Sequence, residues 1–336
     1  MRTGSGEHTY EWIEPWANVP ESDAVRQGWA HPGVAVTGGG NVVTFHPGEP
    51  SVLVFNTDGA LLHTIETGLG EGHGITVTQE GEREYLWIAD PGSKRRRVGS
   101  ELEQSSHTGQ VVKFTMDGQP VLTLDRPDLP VYGQGTYAPT SVAVNEERFG
   151  GNGDVWVADG YGQSQVHRYS QFNKRGEYLK SITGAEGSAG NFATPHGIWF
   201  DTRKTEPELY VADRGNRRVQ VYDADGHFKR AFGTDFLTSP SGFARDGDHV
   251  IIAELRARLA VVDADDRLVC YLGQNESVCV EDGWPNMMDE RGVPTRTNRL
   301  QPGKFNSPHG MATDPHGNIY VAEWLIGGRF IKLAKV

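Results

Sequence analysis

One short pattern recurs along this chain and constrains its fold more than any other feature. An apolar strand closes on a small residue and an acid: LWIAD (86–90), VWVAD (155–159), LYVAD (209–213), VIIAE (250–254) and IYVAE (319–323), with VVTFH (42–46) as a variant. Each is followed by a second apolar strand: VLVFN, QVVKF, QVHRYS, RVQVYD, LAVVDA and RFIKLA. Tight turns come next at Thr57-Asp58-Gly59, Met116-Asp117-Gly118, Lys174-Arg175-Gly176, Ala224-Asp225-Gly226 and Ala264-Asp265-Asp266. Asp-Gly between apolar runs signals a hairpin. The strands LLHTI, VLTL, YLKSI, FKRAF and LVCYL then close five units.

Six units of four short strands, at this period, predict an all-β fold: a six-bladed β-propeller. The blades fall at 33–67, 73–124, 139–184, 195–233, 239–273 and 305–336. The sixth unit ends after its third strand. Thr9-Tyr10-Glu11-Trp12-Ile13 is expected to supply the missing outer strand, which removes a free sheet edge. Residues 1–336 thus read as a single domain, with 1–32 as the N-terminal segment. Insertions interrupt the spacing at 91–110, 125–138 and 274–304. The last, rich in Gly and Pro and carrying Trp284, Met287 and Met288, is expected to act as a lid.

The chain carries Lys+Arg 32 against Asp+Glu 44, a formal charge of −12. That disfavours nucleic acid and anionic membrane as partners. The local exception, Lys94-Arg95-Arg96-Arg97, reads as a solvated loop, with an anion-docking spot as the functional alternative. No run of about 18 apolar residues is present, so no membrane span is expected. The N-terminal stretch has no apolar h-region, which makes cytoplasmic the default compartment. Cys270 and Cys279 do not match a zinc or redox spacing, and two free thiols are expected.

Aligning the first residue of each inner strand gives Gly33, His73, Thr140, His196, Ser241 and His309. Histidine occupies blades two, four and six, each time followed by glycine. Alternate blades of a six-fold ring are about 120° apart, so three imidazoles would converge on the axis. Three neutral imidazoles and an open position suit Zn²⁺, with other imidazole-binding divalent ions as alternatives. His31 and the other histidines fall outside this register. Trp284, Trp324 and Leu325 are candidates for an apolar wall beside the metal.

The stretches HGITVTQEGEREYLWIAD, PTSVAVNEERFGGNGDVWVADGYGQSQVHRYS, PHGIWFDTRKTEPELYVADRGNRRVQVYD and PHGMATDPHGNIYVAEW resemble the peptidyl-α-hydroxyglycine α-amidating lyases. The resemblance implies a six-bladed propeller of NHL-type repeats whose zinc is held by His73, His196 and His309. It matches Tyr161 to the family's catalytic base and Arg214 to an arginine beside it that favours phenolate. It implies cleavage of a carbinolamide N–C bond in a small-molecule or peptide-like substrate, by a monomer. Three positions depart from the family. Pro47, after His46, stands where a substrate-contacting arginine is expected. Gly310 replaces an aspartate that helps hold calcium, so Ca²⁺ is doubtful. Gly162 replaces a cysteine.

Two other functions fit the same residues. A metal-dependent hydrolase such as a lactonase would favour carboxylates near the axis, for which Glu254 and Glu323 are candidates. A non-catalytic binding propeller would need no axial histidines.

Overall fold

The computed structural model describes residues 1–172 and 176–336. The fold is all-β, a six-bladed β-propeller. Five blades are four-stranded antiparallel sheets whose strands follow chain order from the innermost outward. The second strand is buried along its length in blades one, three, four and six, and over its last five residues in blades two and five. Packing on both faces explains why these strands read as continuous apolar runs and not as alternating ones.

The turns between third and outer strands hold the expected glycines. Gly59, Gly118 and Gly226 take φ of 84°, 88° and 82°, and Asp266 adopts 63° in their place. In the turn expected at Lys174-Arg175-Gly176, Lys174 and Arg175 lie outside the described residues.

The chain packs as two compact units. One comprises Met1–Gly72, Ser93–Ser106 and Phe243–Val336. In it the strand His8–Ile13 pairs with Arg329–Lys335 and completes the sixth blade, as the sequence predicts. The sequence did not reveal a further strand, Arg2–Ser5, which pairs with His8–Ile13 and makes this blade five-stranded. Tyr10 and Trp12 from this segment join a core of Ile251, Leu259, Phe305, Ile331 and Leu333. Arg329 sits between Glu14 (2.6 Å) and Glu323 (3.0 Å), tying the N-terminal segment to the sixth blade.

The basic run departs from its expected loop. It forms the strand Ser93–Val98, paired with Glu101–Ser106. Lys94 is buried with Nζ 2.8 Å from Glu71. Arg96 pairs with Glu103 and Arg97 with Asp289. Three of the four cations thus face local carboxylates, while the exposed Arg95 bonds to Gln104.

The insertion at 274–304 carries a 3-10 turn, Glu276–Val280, and a two-residue strand pair, Met287–Met288 with Pro294–Thr295. Cys270 and Cys279 are free thiols.

The second unit comprises His73–Gly92 and His107–Gly242 and holds blades two, three and four. Its cores centre on Trp87 with Tyr169, and on Trp156 with Phe192, Phe200 and Tyr222. Among the described residues, no helix is long and apolar enough to cross a membrane.

Candidate metal centre

His73, His196 and His309 are 2%, 2% and 3% exposed. Each stands where an inner strand begins, and each ring is fixed in the same way. Nδ1 of His73 lies 2.6 Å from the carbonyl oxygen of Thr140. Nδ1 of His196 lies 2.8 Å from that of Ser241, and Nδ1 of His309 lies 3.2 Å from that of Pro32. A carbonyl can only accept, so Nδ1 carries a proton, and in the neutral tautomer the lone pair is on Nε2. Metal-binding imidazoles are commonly oriented through this kind of bond.

The glycine after each histidine has the same explanation. A Cβ on Gly74, Gly197 or Gly310 would fall 2.6, 2.3 or 2.3 Å from that same carbonyl oxygen of Thr140, Ser241 or Pro32. Only glycine lets the two backbones approach closely enough for the imidazole to reach the carbonyl. Register shifts at Pro195/Ile198 and Pro308/Gly310 mark bulges there, a device that re-aims side chains.

In the second unit, His73 and His196 meet with ring centroids 4.8 Å apart. The Tyr161 hydroxyl oxygen lies 3.3 Å from Nε2 of His73 and 3.1 Å from Nε2 of His196. Arg214 Nη2 is 3.5 Å from the same oxygen, and its guanidinium carbon is 5.4 Å from the Tyr161 ring centroid. Four of the five expected site residues therefore gather in one unit. A phenol has one proton and can donate to only one of two Nε2 lone pairs. A donor set of this kind, two imidazoles with a phenol, suits a cation.

In the first unit, His309 packs against His31 with centroids 4.2 Å apart. Sequence reasoning missed His31 because it falls two residues before the aligned position, Gly33. The available signal was His31-Pro32-Gly33, where Pro32 supplies the carbonyl that orients His309. Either histidine pair brings ligand nitrogens within 4.8 Å of each other and could help to hold a metal ion. Trp324 stacks on Trp29 at 5.5 Å, lies 5.5 Å from His31, and meets Trp284 edge-on at 6.1 Å. Trp29, Trp284 and Trp324 thus make one aromatic group that reaches His31 through Trp324. Leu325 is fully buried.

The strand-end acids have a structural task. Asp159 accepts from the amides of Ala138 and Gln163 and from the Tyr132 hydroxyl. Asp213 accepts from the Ala193 amide, Asn216 and Arg218. The candidates for hydrolase carboxylates, Glu254 and Glu323, are engaged in the same manner. Glu254 pairs with Arg258, while Glu323 holds the amides of Asn306 and Ser307 and pairs with Arg329. These carboxylates clamp loops and bind arginine, which argues against the axial role considered for them. His46 caps a turn, its Nδ1 accepting from the Gly48 and Glu49 amides, and burial lowers its pKa. The ring is therefore held neutral, and it supplies no cation at the position preceding Pro47.

No family model matches the chain. It is similar to human NHL repeat-containing protein 3, 28% identical over 232 residues, covering 64% of this chain and 58% of that protein. It is similar to peptidyl-alpha-hydroxyglycine alpha-amidating lyase 1 of Drosophila melanogaster, 28% identical over 273 residues, covering 75% of this chain and 42% of that protein. The chain thus spans about half the length of these curated relatives. Among solved structures it resembles a streptogramin B lyase, with a TM-score of 0.56 at 11% identity, covering 98% of this chain and 99% of that one. At that identity the likeness concerns the fold alone.

Proposed function

We propose that this chain is a metal-dependent lyase, with His73, His196 and His309 holding one divalent ion, zinc by its donor set. Its substrate is a small hydroxylated molecule of the carbinolamide type, free or at the end of a peptide, handled by a monomer. The observation that carries the reading is the Tyr161 oxygen, set 3.3 and 3.1 Å from two histidine Nε2 atoms and beside Arg214.

The metal would act as a Lewis acid toward a substrate oxygen. Tyr161 takes the proton of the substrate hydroxyl. The hydroxyl oxygen then forms the carbonyl of an aldehyde as the C–N bond breaks. The bonding pair goes to the amide nitrogen, and Tyr161 returns the proton there, so an amide and an aldehyde leave. Arg214 stabilises the Tyr161 phenolate that accepts the first proton and that the second transfer regenerates. Trp29, Trp284 and Trp324 supply apolar surface that favours an aromatic or aliphatic substituent. The amidating lyases among the similar proteins support the reaction class.

The test supplies an N-acyl-α-hydroxyglycine to zinc-loaded protein and measures glyoxylate release. Activity that falls by about 10²–10⁴ in Tyr161→Phe supports the proposal. Turnover of lactones that survives this substitution would move the chain to a metal-dependent hydrolase. Binding of less than about half an equivalent of metal after metal-replete expression would favour a non-catalytic propeller.

A further inference from the structure

The N-terminal hairpin presents a separate group of ligating side chains. His8 opens the strand His8–Ile13, and Glu7 precedes it in the turn after Arg2–Ser5. His249 opens the second strand of blade five, His249–Glu254. All three belong to the first compact unit.

The two imidazoles meet edge to face, with centroids 4.5 Å apart and planes at 85°. Glu7 Oε1 lies 3.9 Å from His8 Nε2. One ligand atom from each of the three residues lies within 4.8 Å of the others. His8 is 3% exposed, and neither of its ring nitrogens has a hydrogen-bond partner among the described residues. A buried polar ring left without partners is costly, and native structures rarely keep one without a reason. Nearby Asp246 is already occupied by Lys335 and by the Tyr10 hydroxyl.

We propose that Glu7, His8 and His249 form a second metal site, which takes a divalent transition ion of the zinc class and fastens the N-terminal hairpin to blade five. Two imidazoles and one carboxylate make a three-ligand zinc set with a fourth position for solvent. Calcium and magnesium prefer oxygen ligands and are disfavoured by the imidazoles. Zinc bonds of about 2.0–2.2 Å place tetrahedral ligand atoms roughly 3.3 Å apart. The 3.9 Å separation therefore needs only a small closure, which Glu7 can make because its side chain is 75% exposed. Burial, reinforced by His249 and Lys335, lowers the pKa of His8 against the opposing pull of Glu7 and Asp246. The ring is held neutral, the form that ligates.

The site has a structural consequence. His8 lies on the segment that completes blade six, whereas His249 lies in blade five. Chain termini fray unless they are tied down. A metal here ties the closing segment at its outer end.

The experiment measures zinc uptake by the metal-stripped full chain in equilibrium dialysis, with cobalt absorption as a second readout. Wild type should take up two equivalents. His249→Ala and His196→Ala should each lose one, and the double variant both. Zinc should raise the melting temperature of His196→Ala but not that of the double variant. Glu7→Gln, on an exposed side chain, should weaken uptake without changing the melting temperature of the metal-free protein. If His196→Ala takes up no metal, or His249→Ala takes up as much as wild type, the second site is refuted. If wild type takes up one equivalent and His249→Ala alone abolishes it, the histidine centre fails and this site stands.

Discussion

Replacing Gly197 by alanine tests the local rule behind the histidine centre. The added Cβ would lie 2.3 Å from the Ser241 carbonyl oxygen and 2.9 Å from the Gly242 Cα. These are backbone atoms with little room to yield, so the carbonyl has to retreat by the better part of an ångström. That same oxygen holds His196 Nδ1 at 2.8 Å. Overpacking costs about 1–3 kcal/mol. Loss of the hydrogen bond adds about 0.5–1.5 kcal/mol. Alanine returns about 0.4–1 kcal/mol by restricting the unfolded chain. The net destabilisation is about 2 kcal/mol, a few degrees in melting temperature. Freeing the His196 ring also removes the bond that selects its tautomer, so cobalt affinity should fall by about 10–100-fold. Gly133→Ala is the control, because its added Cβ meets nothing within 4 Å. Thermal melts and cobalt titrations of both variants decide the matter. If Gly197→Ala melts with the control and binds cobalt as tightly as wild type, the proposed role of the His-Gly pair is wrong.

Arg329→Met should cost about 3–5 kcal/mol, because it strands the fully buried Glu323 without its cation. Burial already raises the Glu323 pKa despite Arg329, and the substitution raises it further. Its deficit against wild type should therefore shrink as pH falls and Glu323 takes a proton, which urea melts at several pH values will show. His167 is buried between the Tyr132 hydroxyl and Ser181, and desolvation lowers its pKa to about 4. Its folded pKa lies below the unfolded value, so its contribution is complete above about pH 6.5 and is lost as pH falls toward 4. At about 1.4 kcal/mol per unit this amounts to roughly 3 kcal/mol. In His167→Gln, stability plotted against pH should be flatter over that window. Stripping zinc from wild type should abolish lyase turnover, and reloading should restore it; turnover that survives in a strong chelator would refute the metal dependence.

The blade pattern was legible in the sequence because a strand's burial is written locally. LYVAD is continuous apolar chain because both its faces are covered, and Asp225-Gly226 turns because glycine accepts φ of 82°. The register of His73, His196 and His309 was legible for the same reason, as was the pairing of Tyr161 with Arg214 by resemblance. What neighbouring backbone does to those side chains was not legible. The glycine after each histidine looks like a loop residue until the opposing carbonyl is in place. Glu254 and Glu323 look available until Arg258 and Arg329 occupy them. Lys94 looks solvated until Glu71 meets it, and His31 becomes notable only when packed on His309.

The sequence alone determined the repeating sheet and which residue types stand at each strand end. Both follow from period-two geometry, turn conformations and burial, all set by neighbours a few positions away. Tertiary structure decided which nitrogen of each imidazole a carbonyl holds, which carboxylates are committed and which histidines acquire partners. The carbonyls that orient the three imidazoles lie 45 to 277 residues away, and even the arginines that occupy Glu254 and Glu323, only four and six residues on, reach them through the fold of adjacent strands.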